Sequence, residues 1–141
     1  MKELKFKDEF FDLILEGKKT QTRRPIKPQP KGIDAFRKGL VNEAWQAGFV
    51  DIECPYGEVG NVGTIGDIVI KDIRIERLQD ISVDDIRAEG VIQRFPNIND
   101  RFTPQILLGS FMEMWNDIYF ETEFSFQSNP WVWVIEFSLF K

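Results

Sequence analysis

The 141-residue chain contains no histidine and a single cysteine, Cys54. The first absence removes Ser-His-Asp and Cys-His catalysis within one chain, together with every histidine-based metal site. The second removes an internal disulfide and a cysteine-cluster zinc site. Proton traffic in any reaction must therefore run through Lys, Asp, Glu, Tyr or a metal-bound water. No cluster of carboxylates stands out for a Mg²⁺ site, so neither a metal nor a cofactor is expected. No apolar run approaches the roughly 20 residues that span a bilayer. The opening Met1-Lys2-Glu3-Leu4-Lys5 has no signal-peptide core. The expectation is a soluble, cytoplasmic protein without membrane contact.

What is present supports a real core. Hydrophobic residues make up 43% of the chain and aromatics 13%, and the length fits one domain over residues 1–141. The net charge is −5, but it is unevenly spread. Lys18, Lys19, Arg23, Arg24, Lys27, Lys31, Arg37 and Lys38 face one acid, Asp34, in the same stretch. A basic segment on an acidic remainder suits local recognition of phosphate or another polar anion. A solvated basic loop with no ligand is the plain alternative. The densest part is Gly17-Lys18-Lys19-Thr20-Gln21-Thr22-Arg23-Arg24.

Periodicity gives a coarse outline. Leu4 to Lys7 suits a short opening strand. Phe10, Phe11, Leu13, Ile14 and Leu15 recur at helical spacing, with Asp8 and Glu9 at the positive end of the helix. Gly17 suits its stop, and Lys18 and Lys19 its negative end. Thr20, Thr22 and Arg24 then alternate with Gln21 and Arg23 as in an extended segment, which puts the first three on one face. Pro25, Pro28 and Pro30 open a long irregular excursion from about 25 to 66. Its Trp45, Phe49 and Tyr56 either pin it to the body or stack on a base, and pinning is the commoner use.

Residues 67–78 alternate as a strand, with a register change near Lys71-Asp72. Ser82 suits a helix N-cap with Asp85 three residues on, a variant of the capping box, and Gly90 the stop. Residues 91–103 read as loop. Pro104 to Tyr119 reads as a long helix with Ile106, Leu107, Phe111, Met114, Trp115 and Ile118 as its buried stripe. After a turn at Asn129-Pro130, Trp131 to Phe140 is too apolar for an edge strand. Strands outside, helices between them and a closing C-terminal strand suggest an α+β or mainly β domain: a small, mainly antiparallel barrel with flanking helices.

Four blocks in order resemble the ASCH domain family, whose members share the PUA-like barrel. They are Gly17 to Arg24; Leu78-Gln79-Asp80-Ile81-Ser82 through Ala88-Glu89-Gly90; Phe111 to Tyr119 with Trp115-Asn116; and Asn129-Pro130-Trp131 through Phe137. Cys54-Pro55-Tyr56-Gly57 is similar to a loop of the family's bacteriophage and prophage branch. One departure is that Gly66-Asp67 leads straight into Ile68-Val69-Ile70-Lys71, without that branch's Arg-Glu pair. The resemblance implies binding of RNA or a nucleoside or nucleotide, and a monomer or weak dimer in a host cytoplasm. One branch of the family removes the acetyl group of N4-acetylcytidine with a Lys, a Thr and a Glu. Carried over, these are Lys19, Thr22 and Glu89, so an amidohydrolase is a second expectation. A phage factor that binds a host protein through 25–66 is a third.

Arg24, Thr20, Arg23 and Trp115 are the ligand-binding candidates that accompany the set. Arg24 and Arg23 would lower the pKa of a desolvated Lys19, and the Arg24 fork suits a phosphate or carbonyl oxygen. Trp115, Trp131 and Trp133 are candidates for stacking, although their spacing favours the core. Each residue also has a plain structural use. Thr20 and Thr22 are ordinary strand residues, and Lys18 and Lys19 satisfy a helix end. Glu89 could simply pair with Arg87, Lys19 or Arg24. Lys18 and Arg23 are the two charges expected to be bystanders.

Overall fold

The computed structural model describes residues 2–31, 39–60, 68–91 and 103–139. Three strands, β1 (Gln21–Pro25), β2 (Ile68–Arg77) and β3 (Trp131–Leu139), form an antiparallel sheet in the order β1-β3-β2. Among the described residues four α-helices accompany it: α1 (Phe11–Leu15), α2 (Val41–Gln46), α3 (Val83–Ala88) and α4 (Thr103–Tyr119). Among the described residues the sheet is open and does not close into the expected barrel. The expected opening strand at Leu4 to Lys7 is not one: the segment joins no strand among the described residues. Residues 92–102, most of the expected loop before α4, lie outside the described residues. No helix among the described residues is long and apolar enough to cross a membrane.

The continuous apolar run of β3 follows from its position. It is the central strand, and both of its faces are covered. Trp131, Trp133, Ile135 and Phe137 join Leu4, Ile14, Ile26, Val41 and the isoleucines of β2 in one apolar cluster. Val132 and Val134 point the other way, into a second cluster with Ile86 of α3 and Leu107, Phe111 and Trp115 of α4. A strand buried on both faces has no polar face to alternate with.

The bulge in β2 is where the sequence put it. The register slips between Ile70 and Asp72. One extra residue moves the buried set from Ile68 and Ile70 to Ile73 and Ile75. Ser82 caps α3 by accepting from the Asp85 amide at 3.1 Å. Gly17 and Gly90 end their helices at φ +74° and +94°, a region that residues with a Cβ adopt only at a cost.

The apolar positions of the helices are not all buried. The Phe11 and Leu15 side chains of α1 are exposed, and only Ile14 of that helix is buried. Ile118 of α4 is 57% exposed although it continues the stripe; it borders a cavity instead of the core.

The stretch from 25 to 66 is less irregular than its prolines suggest. It contains α2, which covers the outer edge of β2. Gln46 Nε2 donates to Ile73 O at 2.9 Å, and Asn42 Oδ1 accepts from the Ile75 amide at 2.9 Å. Those groups would otherwise offer an open edge for strand addition. Trp45 pins the stretch by meeting Trp133 edge to face at 5.1 Å and donating to Ile52 O at 2.8 Å. Tyr56 also packs against the first cluster, whereas Phe49 is 83% exposed and pins nothing.

Candidate ligand-binding site

β1 is an edge strand, and its sequence is polar yet buried. Thr20 O accepts from the Phe137 amide, and the Ile26 amide donates to Trp131 O. By the period of two, the main-chain groups of Thr22 and Arg24 also face β3, and those of Gln21 and Arg23 face outward. Side chains of the motif close that open side. Lys19 Nζ donates to Gln21 O at 3.0 Å, and Arg24 Nη1 donates to Arg23 O at 3.1 Å.

Beside this edge lies a cavity of about 190 Å³. Lys19, Thr22, Arg23, Arg24 and Glu89 line it, together with Phe6, Phe10, Met114, Trp115 and Tyr119. Six of the seven residues singled out from the sequence therefore meet at one place. The seventh, Thr20, does not: it lines a separate depression with Ile14, Gly17 and Phe137. Trp115 lines the cavity but is a core residue. It is 5% exposed, donates from Nε1 to Phe124 O at 2.7 Å, and its ring centre lies 4.5 Å from that of Tyr119. Trp131 and Trp133 are both core, as their spacing favours; Trp131 stacks under Arg77 at 4.2 Å.

Lys19 is 3% exposed. Besides Gln21 O, its Nζ donates to the main-chain carbonyl of Glu89 at 2.6 Å, and it sits 3.7 Å from Glu89 Oε1. The Phe10 ring centre is 4.6 Å away. Gly90 makes this approach possible, because a Cβ there would come within 3.3 Å of Lys19 Cβ. Burial pulls the Lys19 ammonium below its ordinary 10.5; Glu89 opposes this, and Arg24 and then Arg23 add to the lowering.

The sign for stability follows. Between the lowered folded value and 10.5, the unfolded chain holds a proton at Lys19 that the folded chain does not, so stability rises with pH through that window. Wild type should therefore gain on Lys19→Gln as pH is raised toward 10, read by urea denaturation at a series of pH values. Burial raises the Cys54, Tyr56 and Tyr119 groups, but they are common to both proteins and cancel in the difference. A difference independent of pH would show that Lys19 is not held with a lowered pKa.

Arg23 corrects the sequence reading most. It is no bystander: its side chain is fully buried. Nη1 donates to Glu89 Oε2 at 3.1 Å and to Gln21 Oε1 at 2.9 Å. Nη2 donates to Asp85 Oδ2 at 3.1 Å and Glu76 Oε2 at 3.4 Å. Arg74 of β2 extends the network to Glu76, Asp85 and Glu136. Burial alone would lower the Arg74 pKa, but its hydrogen bonds to Glu76 and Glu136 raise it. Glu89 accordingly pairs with Arg23 and Lys19, not with Arg87 or Arg24. Arg87 lies on the surface near Asp84, and Lys18 pairs there with Glu16, as befits a bystander.

Alternation alone hid this network, since it assigned Gln21 and Arg23 only to the opposite face. A polar pair on that face, matched by Arg74, Glu76 and Glu136 on the other strands, was the signal that could have exposed it. Among the described residues no group of three or more His, Cys, Asp or Glu is arranged to hold a metal ion.

Thr22 Oγ1 accepts from Arg24 Nη1 at 2.6 Å, and Arg24 Nη2 donates to Lys5 O at 2.7 Å. No hydrogen bond joins Lys19 to Thr22 among the described residues. The site thus contains a buried amine, a buried carboxylate, a guanidinium beside a hydroxyl, and aromatic walls.

No family model matches the chain, and no curated protein matches it. Among solved structures it is similar to the ASCH domain from Lactobacillus crispatus JV V101, known from a high-resolution crystal structure. The identity is 15% and the TM-score 0.40, with 91% of this chain and 68% of that chain covered.

Proposed function

We propose that the chain is an ASCH-type, PUA-like domain that binds one nucleotide of an RNA, or a free modified nucleotide or nucleoside, at the β1 edge. One observation carries this reading. Lys5, Lys7, Lys19, Arg23 and Arg24 line the cavity against one lining carboxylate, Glu89, together with the rings of Phe6, Phe10, Trp115 and Tyr119. Cations around a slot with aromatic walls suit a base with a phosphate attached. The volume lies below the roughly 300–1,000 Å³ of sites for drug-sized ligands, which favours a single base over a stacked run. The Cys54 to Gly57 loop supports the phage branch and, with it, a host cytoplasm.

Titration with nucleosides, nucleoside monophosphates and short RNAs at low salt tests the reading. Lys19→Ala and Arg24→Ala should each weaken binding about 10- to 100-fold, the equivalent of a lost charged hydrogen bond of roughly 1.5–3 kcal/mol. Wild type that binds none of the panel, or variants that bind as well as wild type, would refute it.

A second reading, deacylation of an N-acylated base, is favoured by the lowered pKa of buried Lys19. Thr22 Oγ would attack the acyl carbon and pass its proton to the Lys19 amine. The C–N bond would break with that proton returned to the leaving amine, directly or through Glu89, and water would then free the acid from Thr22. Arg24 must first release Thr22 Oγ1 for this to occur. Acetate release from N4-acetylcytidine, lost in Thr22→Ala and Glu89→Ala, is the readout. No observation favours a host-protein role for 25–66, whose described helix is engaged on the β2 edge.

A further inference from the structure

Asp85 and Glu89 are four residues apart at the N- and C-terminal ends of α3, so their side chains share one face of the helix. Two carboxylates placed so repel each other, and a single guanidinium lies between them. Arg23 Nη1 holds Glu89 Oε2 and Arg23 Nη2 holds Asp85 Oδ2, both at 3.1 Å. The planar fork of arginine spans one helical turn, which a lysine ammonium cannot do.

Asp85 is itself well fixed. Its amide is tied to Ser82 Oγ, its Oδ1 accepts from Gln21 Nε2 at 2.9 Å, and its Oδ2 also accepts from Arg74 Nη2 at 3.0 Å. Its carboxylate therefore does not return to the Ser82 amide as a capping box would require. Asp85 does not line the cavity, whereas Arg23 and Glu89 do.

We propose that Arg23 and Asp85 are positioning residues for Glu89. Arg23 turns the Glu89 carboxylate away from Lys19, and Asp85 holds Arg23 in the place where it does so. The 3.7 Å separation of Lys19 Nζ from Glu89 Oε1, against 3.1 Å from Arg23 to Glu89 Oε2, is the geometric trace of that competition. The ammonium spends its short hydrogen bonds on two main-chain carbonyls instead. Asp85 thereby sets the charge environment of a cavity that it does not touch. The importance of Glu89 to a ligand rests on the function proposed above; the relay itself does not.

The test needs no ligand, so its failure and the failure of the binding reading are separate results. Asp85→Asn keeps the shape of a partly exposed side chain while removing its charge. In that variant the Glu89 carboxyl ¹³C resonance should shift. The Lys19 Nζ titration, followed by ¹⁵N NMR, should move upward by as much as one pH unit as Glu89 turns toward it. The groups that face Lys19 and act on this titration are Glu89, Arg24 and Arg23, with the Phe6 and Phe10 rings. Arg23→Lys should produce the same change, because it keeps the charge and loses the fork. Asp85→Glu should restore the wild-type signals. A merely structural role would lower the melting temperature of Asp85→Asn and leave both signals of the folded protein unchanged, which would overturn the proposal.

Discussion

Arg23→Met is expected to lower the free energy of unfolding by roughly 3–5 kcal/mol, the usual loss when one partner of a buried ion pair is removed. The reason is the set of groups left behind. Glu89 would keep its 5% exposure with only the Lys19 ammonium at 3.7 Å, and Asp85 and Glu76 would each lose a guanidinium contact. Methionine supplies similar volume, so lost packing contributes little. Urea denaturation followed by tryptophan fluorescence measures the change. Combining Arg23→Met with Asp85→Asn should destabilise by less than the sum of the two, because fewer carboxylates are left uncompensated. A loss under about 1 kcal/mol, the scale of an exposed pair, would mean that Arg23 is not a buried hub.

Trp133→Ala should be as severe, at roughly 3–5 kcal/mol. Trp133 is 2% exposed on the central strand, lies opposite Arg24 in the β1 register, and carries the edge-to-face contact with Trp45 that anchors α2. Its removal empties the middle of the first apolar cluster and frees the segment that covers the β2 edge. Ile118→Ala, at a position of clear helical periodicity, should cost under about 0.5 kcal/mol because the side chain is more than half exposed. Equal losses at the two positions would contradict the burial of Trp133.

These two positions mark how far the residues alone could be read. Local rules worked where local physics decides. The Ser82 cap, the Gly17 and Gly90 stops, the β2 bulge and the interior position of β3 all follow from neighbouring residues. Ile118 was misread because periodicity finds a helix face and says nothing about a cavity opening beneath it. The cavity residues were legible because the motif groups Lys19, Thr22 and Arg24 within six positions, and family resemblance added Glu89. Arg23 was misjudged because its carboxylate partners lie 53, 62 and 66 residues away. Nothing local distinguishes a buried hub from a solvated cation. The aromatic wall from Phe6 and Phe10 was also missed, since an apolar helix start next to a basic motif gives no sign that the chain folds back over it.

The sheet also acts as a partition. Phe6 packs with the cluster on one side of it, and Met114, Trp115 and Tyr119 with the cluster on the other. The cavity lies at the margin formed by β1, a strand only five residues long, and takes lining residues from both sides. A molecule seated there is a keystone between two rooms: it must touch the amino-terminal segment and the end of α4 together. Whatever affinity it has for the folded chain is therefore added to the cohesion of those two parts, by mass action.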